Sequence, residues 1–173
     1  MNIGADYAGL VRAYGTDLFR YAVWLCRDES LAEDLVQETL LRGWRGFSAL
    51  RDISVAKAWL LTTLRREYFR VKGGHTTVHL DDLEETLDDS RDDVPTLDDS
   101  IDISQRLAIL PEHYREVLVL QLLFGYSTQE IAEMLQISEA AVANRLLRAR
   151  RALLAPSGEA PRAEIIPIRR GGV

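Results

Sequence analysis

The chain has 173 residues, 47% of them hydrophobic, a formal charge of −6 and one cysteine. That length holds one domain or two small ones, with apolar content enough for packed cores. Cys26 alone excludes an internal disulfide and a cysteine-rich metal site. The opening MNIGADYAG lacks the basic start and apolar run of a signal peptide, and residues 117–124, the most apolar window, are too short to span a bilayer. The expectation is a cytoplasmic protein with no membrane insertion.

The first block, residues 6–72, reads as three helices. Tyr7, Leu10, Val11, Tyr14, Leu18, Ala22 and Leu25 form one apolar stripe that ends near Arg27-Asp28. Ser30-x-x-Glu33 fits the cap of a second helix, with Leu31, Leu35, Thr39 and the region of Trp44 continuing an inward face. A loop around residues 46–53 leads to a third helix, residues 54–71, ended by Gly73-Gly74. That helix begins with Ala56, Trp59, Leu60 and Leu64 and becomes basic through Arg65, Arg66, Arg70 and Lys72. Cations beside Trp59, Tyr68 and Phe69 are what single-stranded DNA binding requires. The plain alternative is that Trp59 and Tyr68 are core and the arginines solvated.

Residues 73–102 have the composition of a flexible linker. Between Asp81 and Asp102 lie eleven acids against Arg91 alone, a net of −10, which leaves +4 for the rest of the chain. The chain is thus two mildly basic blocks joined by an acidic segment. Clusters such as Asp81-Asp82-Leu83-Glu84-Glu85 superficially resemble the magnesium-diphosphate motifs of prenyl-transferring enzymes. That chemistry needs carboxylates on facing helices around a deep apolar cavity, whereas these crowd one polar stretch. His75, His79 and His113 do not converge with Cys26 or a serine nucleophile motif, and no glycine-rich phosphate loop occurs. No enzyme, cofactor or metal is expected.

The second block, residues 103–155, contains a helix opened by Pro111 and ended by Gly125, then a helix-turn-helix. Ser127-x-x-Glu130 fits a capping box on the first of its helices, with Ile131, Ala132 and Leu135 apolar. Gln136-Ile137 suits the turn, and Ser138 suits the cap of the second helix. There Val142, Leu146, Ala149 and Leu153 recur at helical spacing toward a core. Ala143, Asn144, Leu147, Arg148 and Arg151 fall opposite, flanked by Arg145 and Arg150. Such a face fits a major groove, with Asn144 reading a base and arginines holding phosphates, although a helical hairpin with a solvated basic face shows the same pattern. Residues 156–173 hold three of the five prolines and read as a flexible tail.

Together the two blocks resemble the extracytoplasmic-function sigma factors of bacterial RNA polymerase, which keep only sigma regions two and four. The resemblance rests on residues 32–39 (AEDLVQET), Phe47, Trp59-Leu60 and the basic helix end, then residues 110–117 (LPEHYREV), Glu130-Ile131-Ala132 and residues 142–153. It implies an all-α fold of two small helical domains, residues 1–72 and 103–155, with core RNA polymerase, promoter DNA and an anti-sigma factor as partners. By that resemblance Asp34, Gln37 and Glu38 dock on core polymerase. Phe47, Trp59, Arg65, Arg66 and Arg70 serve the minus-ten element. Ser127, Thr128, Gln129, Ala143, Asn144, Arg145, Leu147, Arg148 and Arg151 serve the minus-thirty-five element. The acidic linker would run through the channel that RNA later occupies. The chain departs from many relatives at Ala140-Ala141 and Arg66, so no promoter sequence is carried over.

A stand-alone helix-turn-helix regulator explains Asn144 and the arginines equally well. It leaves the shared face of Asp34, Gln37 and Glu38 without a use, and also the basic-aromatic third helix.

Overall fold

The computed structural model describes residues 3–73 and 100–154, with side chains over residues 6–73 and 105–153. His75, His79, the acidic stretch 81–99 and the tail 156–173 lie outside the described residues. Every described element is helical: α1 (Ile3–Cys26), α2 (Glu29–Gly46), α3 (Ala56–Lys72), α4 (Ser100–Ile109), α5 (Glu112–Leu122), α6 (Thr128–Leu135) and α7 (Glu139–Leu154). The chain divides into two compact units, residues 1–76 and 77–173. The last three residues of the expected linker, 100–102, are already helix.

In the first unit α1, α2 and α3 pack pairwise. The stripe on α1 buries Tyr7, Leu10, Leu18, Ala22 and Leu25 as the spacing predicts, and adds Tyr21. Val11 and Tyr14 are only partly buried, against the Tyr7–Leu10–Ala56 cluster. Opposing them, α2 presents Ala32, Leu35, Thr39 and Gly43, and α3 presents Ala56, Leu60, Leu61, Leu64 and Tyr68. Each large side chain so buried is worth about 1.5–3 kcal/mol relative to exposure.

Two sequence expectations about α2 fail. Its N-cap is Asp28, whose carboxylate accepts from the Leu31 amide at 3.0 Å, and not Ser30. The chain leaves α1 through Arg27 in the left-handed region (φ 56°), and Asp28 then has the extended backbone that a cap needs. Trp44 is 48% exposed instead of inward. Gly43 takes the inward position beside it, because nothing larger fits: a Cβ there would lie 2.6 Å from Tyr7 Oη and 3.0 Å from Leu60 Cδ2. Trp44 instead packs edge-on against the Tyr7 ring, with centroids 5.3 Å apart. At the far end, Gly73 ends α3 in the left-handed conformation (φ 68°), as its position predicts.

In the second unit α5 packs against α7 and α6, and α6 against α7. Pro111 stands at the N-cap of α5, one residue outside the helix. Buried Arg115 donates from one terminal nitrogen to the carbonyls of Leu110 (3.0 Å) and Ala108 (3.4 Å), closing the C-terminal end of α4. Arg106 donates to the Leu153 carbonyl at the end of α7 (2.8 Å), and Arg150 joins α7 to Gln121 of α5 (2.7 Å).

The capping box at α6 is complete. Ser127 Oγ accepts from the Glu130 amide at 3.2 Å, and the Glu130 carboxylate accepts from the Ser127 amide at 2.8 Å. Gln136 then takes the left-handed conformation (φ 58°), its amide and that of Ile137 bonding the Ala132 carbonyl, which makes the corner between α6 and α7. Ser138 Oγ accepts from the Ala141 amide at 3.0 Å, as expected of a cap.

These contacts generate two predictions. Gly15 lies inside α1 with nothing within 4 Å of an added Cβ. Gly15→Ala should therefore raise stability by about 0.5–1 kcal/mol, the usual gain in a helix interior. Gly43→Ala should reverse sign and cost roughly 1–3 kcal/mol, since its Cβ meets Tyr7 and Leu60. All three tryptophans (Trp24, Trp44, Trp59) belong to the first unit, so urea titration followed by their fluorescence reads both variants.

The second prediction concerns pH. Hydrogen bonds from the Ser127 amide, and then its hydroxyl, hold the Glu130 carboxyl below its ordinary 4.5. A depressed folded value means that the stabilisation is complete above 4.5 and is lost as pH falls through the lower folded value. Amide exchange at Glu130 and Ile131 should accelerate over that acidic range, and Glu130→Ala should abolish the pH dependence.

Candidate nucleic-acid interface

Each unit presents a polar surface over its apolar core. On α2, Leu35 and Thr39 are buried, whereas Asp34 and Gln37 are exposed and Glu38 is half-buried on the other side of the helix. Successive residues advance about 100° around a helix, so residues 34, 37 and 38 leave along one face. Glu38 is engaged by the next turn: Arg42 Nε donates to its Oε1 at 2.8 Å.

Beyond α2 the chain turns through two short 3₁₀ helices, Phe47–Ala49 and Ile53–Val55. Phe47 anchors this loop, stacked edge-on against Tyr7 with centroids 5.3 Å apart. Leu50 packs against the same cluster. Asp52 caps the second turn by accepting from the Ser54 amide at 2.8 Å, and hydrogen bonds from the Ser54 hydroxyl and then its amide hold the carboxyl below the ordinary carboxylate range. The rest of the loop is open, with Ile53 and Val55 exposed among Ser48, Arg51 and Ser54.

On α3 the two readings of the aromatic-basic segment divide. Tyr68 is buried and belongs to the core, while Trp59 is half-buried, its ring close over Gly46, and Phe69 is half-buried. The Arg65 guanidinium lies over the Phe69 ring at 4.7 Å from the centroid, and Lys72 lies 5.4 Å from the Tyr68 centroid. Rings and cations are thus interleaved, a geometry in which the cation is held without losing its charge. Arg66 and Arg70 are exposed. Sequence reading missed what steadies this end of the helix: Glu67, buried, pairs with Arg70 and with Arg42 of α2. An isolated acid in a basic run is the only signal there, and it does not say that the acid is buried.

On the helix-turn-helix, Ser127 and Gln129 are exposed and Thr128 half-buried at the start of α6. On α7, Ala143, Leu147 and Arg148 are half-buried and Arg151 is exposed, broadly as the periodicity predicts. Asn144 and Arg145 depart from the expectation, at 7% and 3% exposure. Arg145 leaves the helix about 60° from Val142, so its stem runs along the border of the core. Asn144 points away from Val142 and is buried nonetheless. Helical periodicity gives the direction in which a side chain leaves, and not what crosses over it. Exposed Ala140 and Glu139, at the N-terminal end of α7, extend the accessible edge instead.

Known proteins account for both units. Sigma-70 region 2 matches residues 10–71, and sigma-70 region 4 matches residues 100–153. The extracytoplasmic-function sigma factor SigL of Mycobacterium tuberculosis is 37% identical over 158 residues, covering 86% of this chain and 89% of SigL. SigM of Bacillus subtilis is 31% identical over 151 residues, covering 84% and 91%. The fold is similar to that of RpoE from Bartonella quintana, solved with the anti-sigma factor NepR, at a TM-score of 0.64 and 24% identity over 86% of this chain and 94% of that one. The region 2 match occupies the block that a stand-alone regulator would need for sensing or dimerising. The chain belongs to the extracytoplasmic-function sigma factors, alternative sigma factors that direct promoter-specific transcription by RNA polymerase and are not enzymes.

Proposed function

We propose that residues 1–72 dock on core RNA polymerase through Asp34, Gln37 and Glu38 and engage the minus-ten element through Phe47, Trp59, Arg65, Arg66 and Arg70. Residues 103–155 engage the minus-thirty-five element through Ser127, Thr128 and Gln129 at the start of α6 and through Ala143, Leu147, Arg148 and Arg151 on α7. Asn144 and Arg145, being buried, are left out of this reading face. The observation that carries the proposal is the division of α2 into an apolar side packed on α1 and α3 and a polar side carrying Asp34, Gln37 and Glu38, joined to α3 through the Arg42–Glu67 pair. Residues 73–102 join the units, and residues 156–173 form a tail. The setting is the bacterial cytoplasm. An anti-sigma partner is carried over from RpoE, which was solved bound to NepR.

The test is transcription with purified core polymerase on genomic fragments, expected to yield discrete start sites only when this chain is added. Asp34→Arg with Glu38→Arg should abolish co-elution with core polymerase and leave the tryptophan-detected melt nearly unchanged. A folded double variant that still co-elutes would remove these residues from the docking face. Arg151→Ala should lower promoter affinity on all sequences and reduce the slope of log affinity against log salt by about 0.9, one phosphate contact.

A further inference from the structure

Four charges of alternating sign run from α2 to α3. Arg42 Nε lies 2.8 Å from Glu38 Oε1 and 2.9 Å from Glu67 Oε1, and Arg70 Nε lies 2.8 Å from Glu67 Oε2. The side chain of Glu67 is 5% exposed, against 37% for Glu38, 43% for Arg42 and 58% for Arg70. The chain of charges is therefore open at both ends and buried at its centre. A carboxylate so enclosed is stable only while paired, so both arginines are held where Glu67 needs them. Each of its oxygens is committed to a different helix. Arg70 spends only its Nε on this pair among the described residues, which leaves its two terminal nitrogens for an outside partner.

We propose that Glu67 is a positioning residue that couples the polymerase-facing side of α2 to the DNA-facing end of α3. It aims the guanidinium of Arg70 at a promoter phosphate and does so against a reference fixed, through Arg42, to the helix that carries Glu38. This rests on the functional reading above, in which Glu38 meets polymerase and Arg70 meets DNA. An α3 arginine hung from solvent alone would have to be ordered by the DNA itself, with loss of its side-chain freedom. A glutamine in place of Glu67 cannot serve both arginines, since its oxygen accepts from one while its amide nitrogen faces the other.

The experiment uses the full chain in holoenzyme, on a promoter recovered by the genomic transcription, and reads promoter affinity across salt concentrations. Arg70→Ala should reduce the salt slope by roughly 0.7–0.9, one phosphate contact. Glu67→Gln should reproduce most of that reduction, and adding it to Arg70→Ala should change the slope no further. With Arg66→Ala, which removes a neighbouring arginine outside the network, its effect should add in full. Because Glu67 is buried, Arg42→Ala provides a second route: Arg42 is largely exposed, lies on α2 and reaches Arg70 only through Glu67. Its effect on the slope should vanish in the Arg70→Ala background. If Arg70→Ala shifts the slope but Glu67→Gln and Arg42→Ala do not, or if their effects add to it, the positioning role is overturned while the functional reading stands. If Arg70→Ala and the Asp34/Glu38 double variant both behave as wild type, the functional reading falls, and this inference with it.

Discussion

Tyr7 meets α2 at Gly43, where the helix has no side chain. Its hydroxyl donates to the Leu40 carbonyl, its ring lies edge-on to both Trp44 and Phe47, and the space beside it exists because residue 43 is glycine. This contact sets the separation of α1 and α2. It also places Leu60 of α3 against the same point and fixes where the chain enters the loop after α2. Burial raises the pKa of the Tyr7 phenol, so the group remains a neutral donor throughout the physiological range. The open loop of residues 48–55 thus hangs from an aromatic cluster.

The second unit solves a different problem with different means. Its helices are short, α6 having eight residues, and isolated helices of that length are marginal in water. Stability comes from closing the helix ends. Reciprocal bonds of Ser127 and Glu130 begin α6, a left-handed Gln136 ends it, Ser138 begins α7, and Arg106 and Arg115 close the ends of α7 and α4. Caps contribute about 1 kcal/mol each, which is large against the margin of so small a domain. A corner fixed at both sides holds α7 in one orientation, which a helix must have if it is to be read by a groove.

How much of this was legible in the sequence depended on whether the information was local. Ser127-x-x-Glu130, Ser138, Gly73 and the stripes on α1 and α7 are local patterns, and each formed as its chemistry predicts. The cap of α2 was misread because Ser30-x-x-Glu33 and Asp28 both satisfy the local rule, and the left-handed Arg27 decides between them. The outward Trp44 was misread because its inward rival was a glycine, whose value lies in the Tyr7 ring pressed against it. Asn144 is buried although it faces away from Val142, because its burial does not come from the periodicity of its own helix. Glu67 was missed altogether, since nothing in a linear run of arginines says that an acid among them is buried and shared with Arg42, 25 positions earlier. On the candidate site, the sequence supplied the residue types and their helix faces, whereas their orientation depended on contacts between helices.

The division of labour between the units bears on specificity. In the proposed reading each unit offers nucleic acid a single helix or a loop and helix, a surface near the lower end of what specific recognition uses. Neither would discriminate strongly by itself, because a few base contacts at roughly 1–3 kcal/mol each must compete with a large excess of nonspecific sites. Joining two weak readers converts the second contact into an intramolecular event and multiplies their discrimination without new contacts. That gain is realised only when the two units are held at the spacing of the two promoter elements. In the proposed reading docking on polymerase supplies that spacing as a fixed frame. In the proposed reading the polar side of α2 therefore matters to DNA recognition although it touches no base: whatever secures that face to polymerase also sets the register in which both readers meet the promoter.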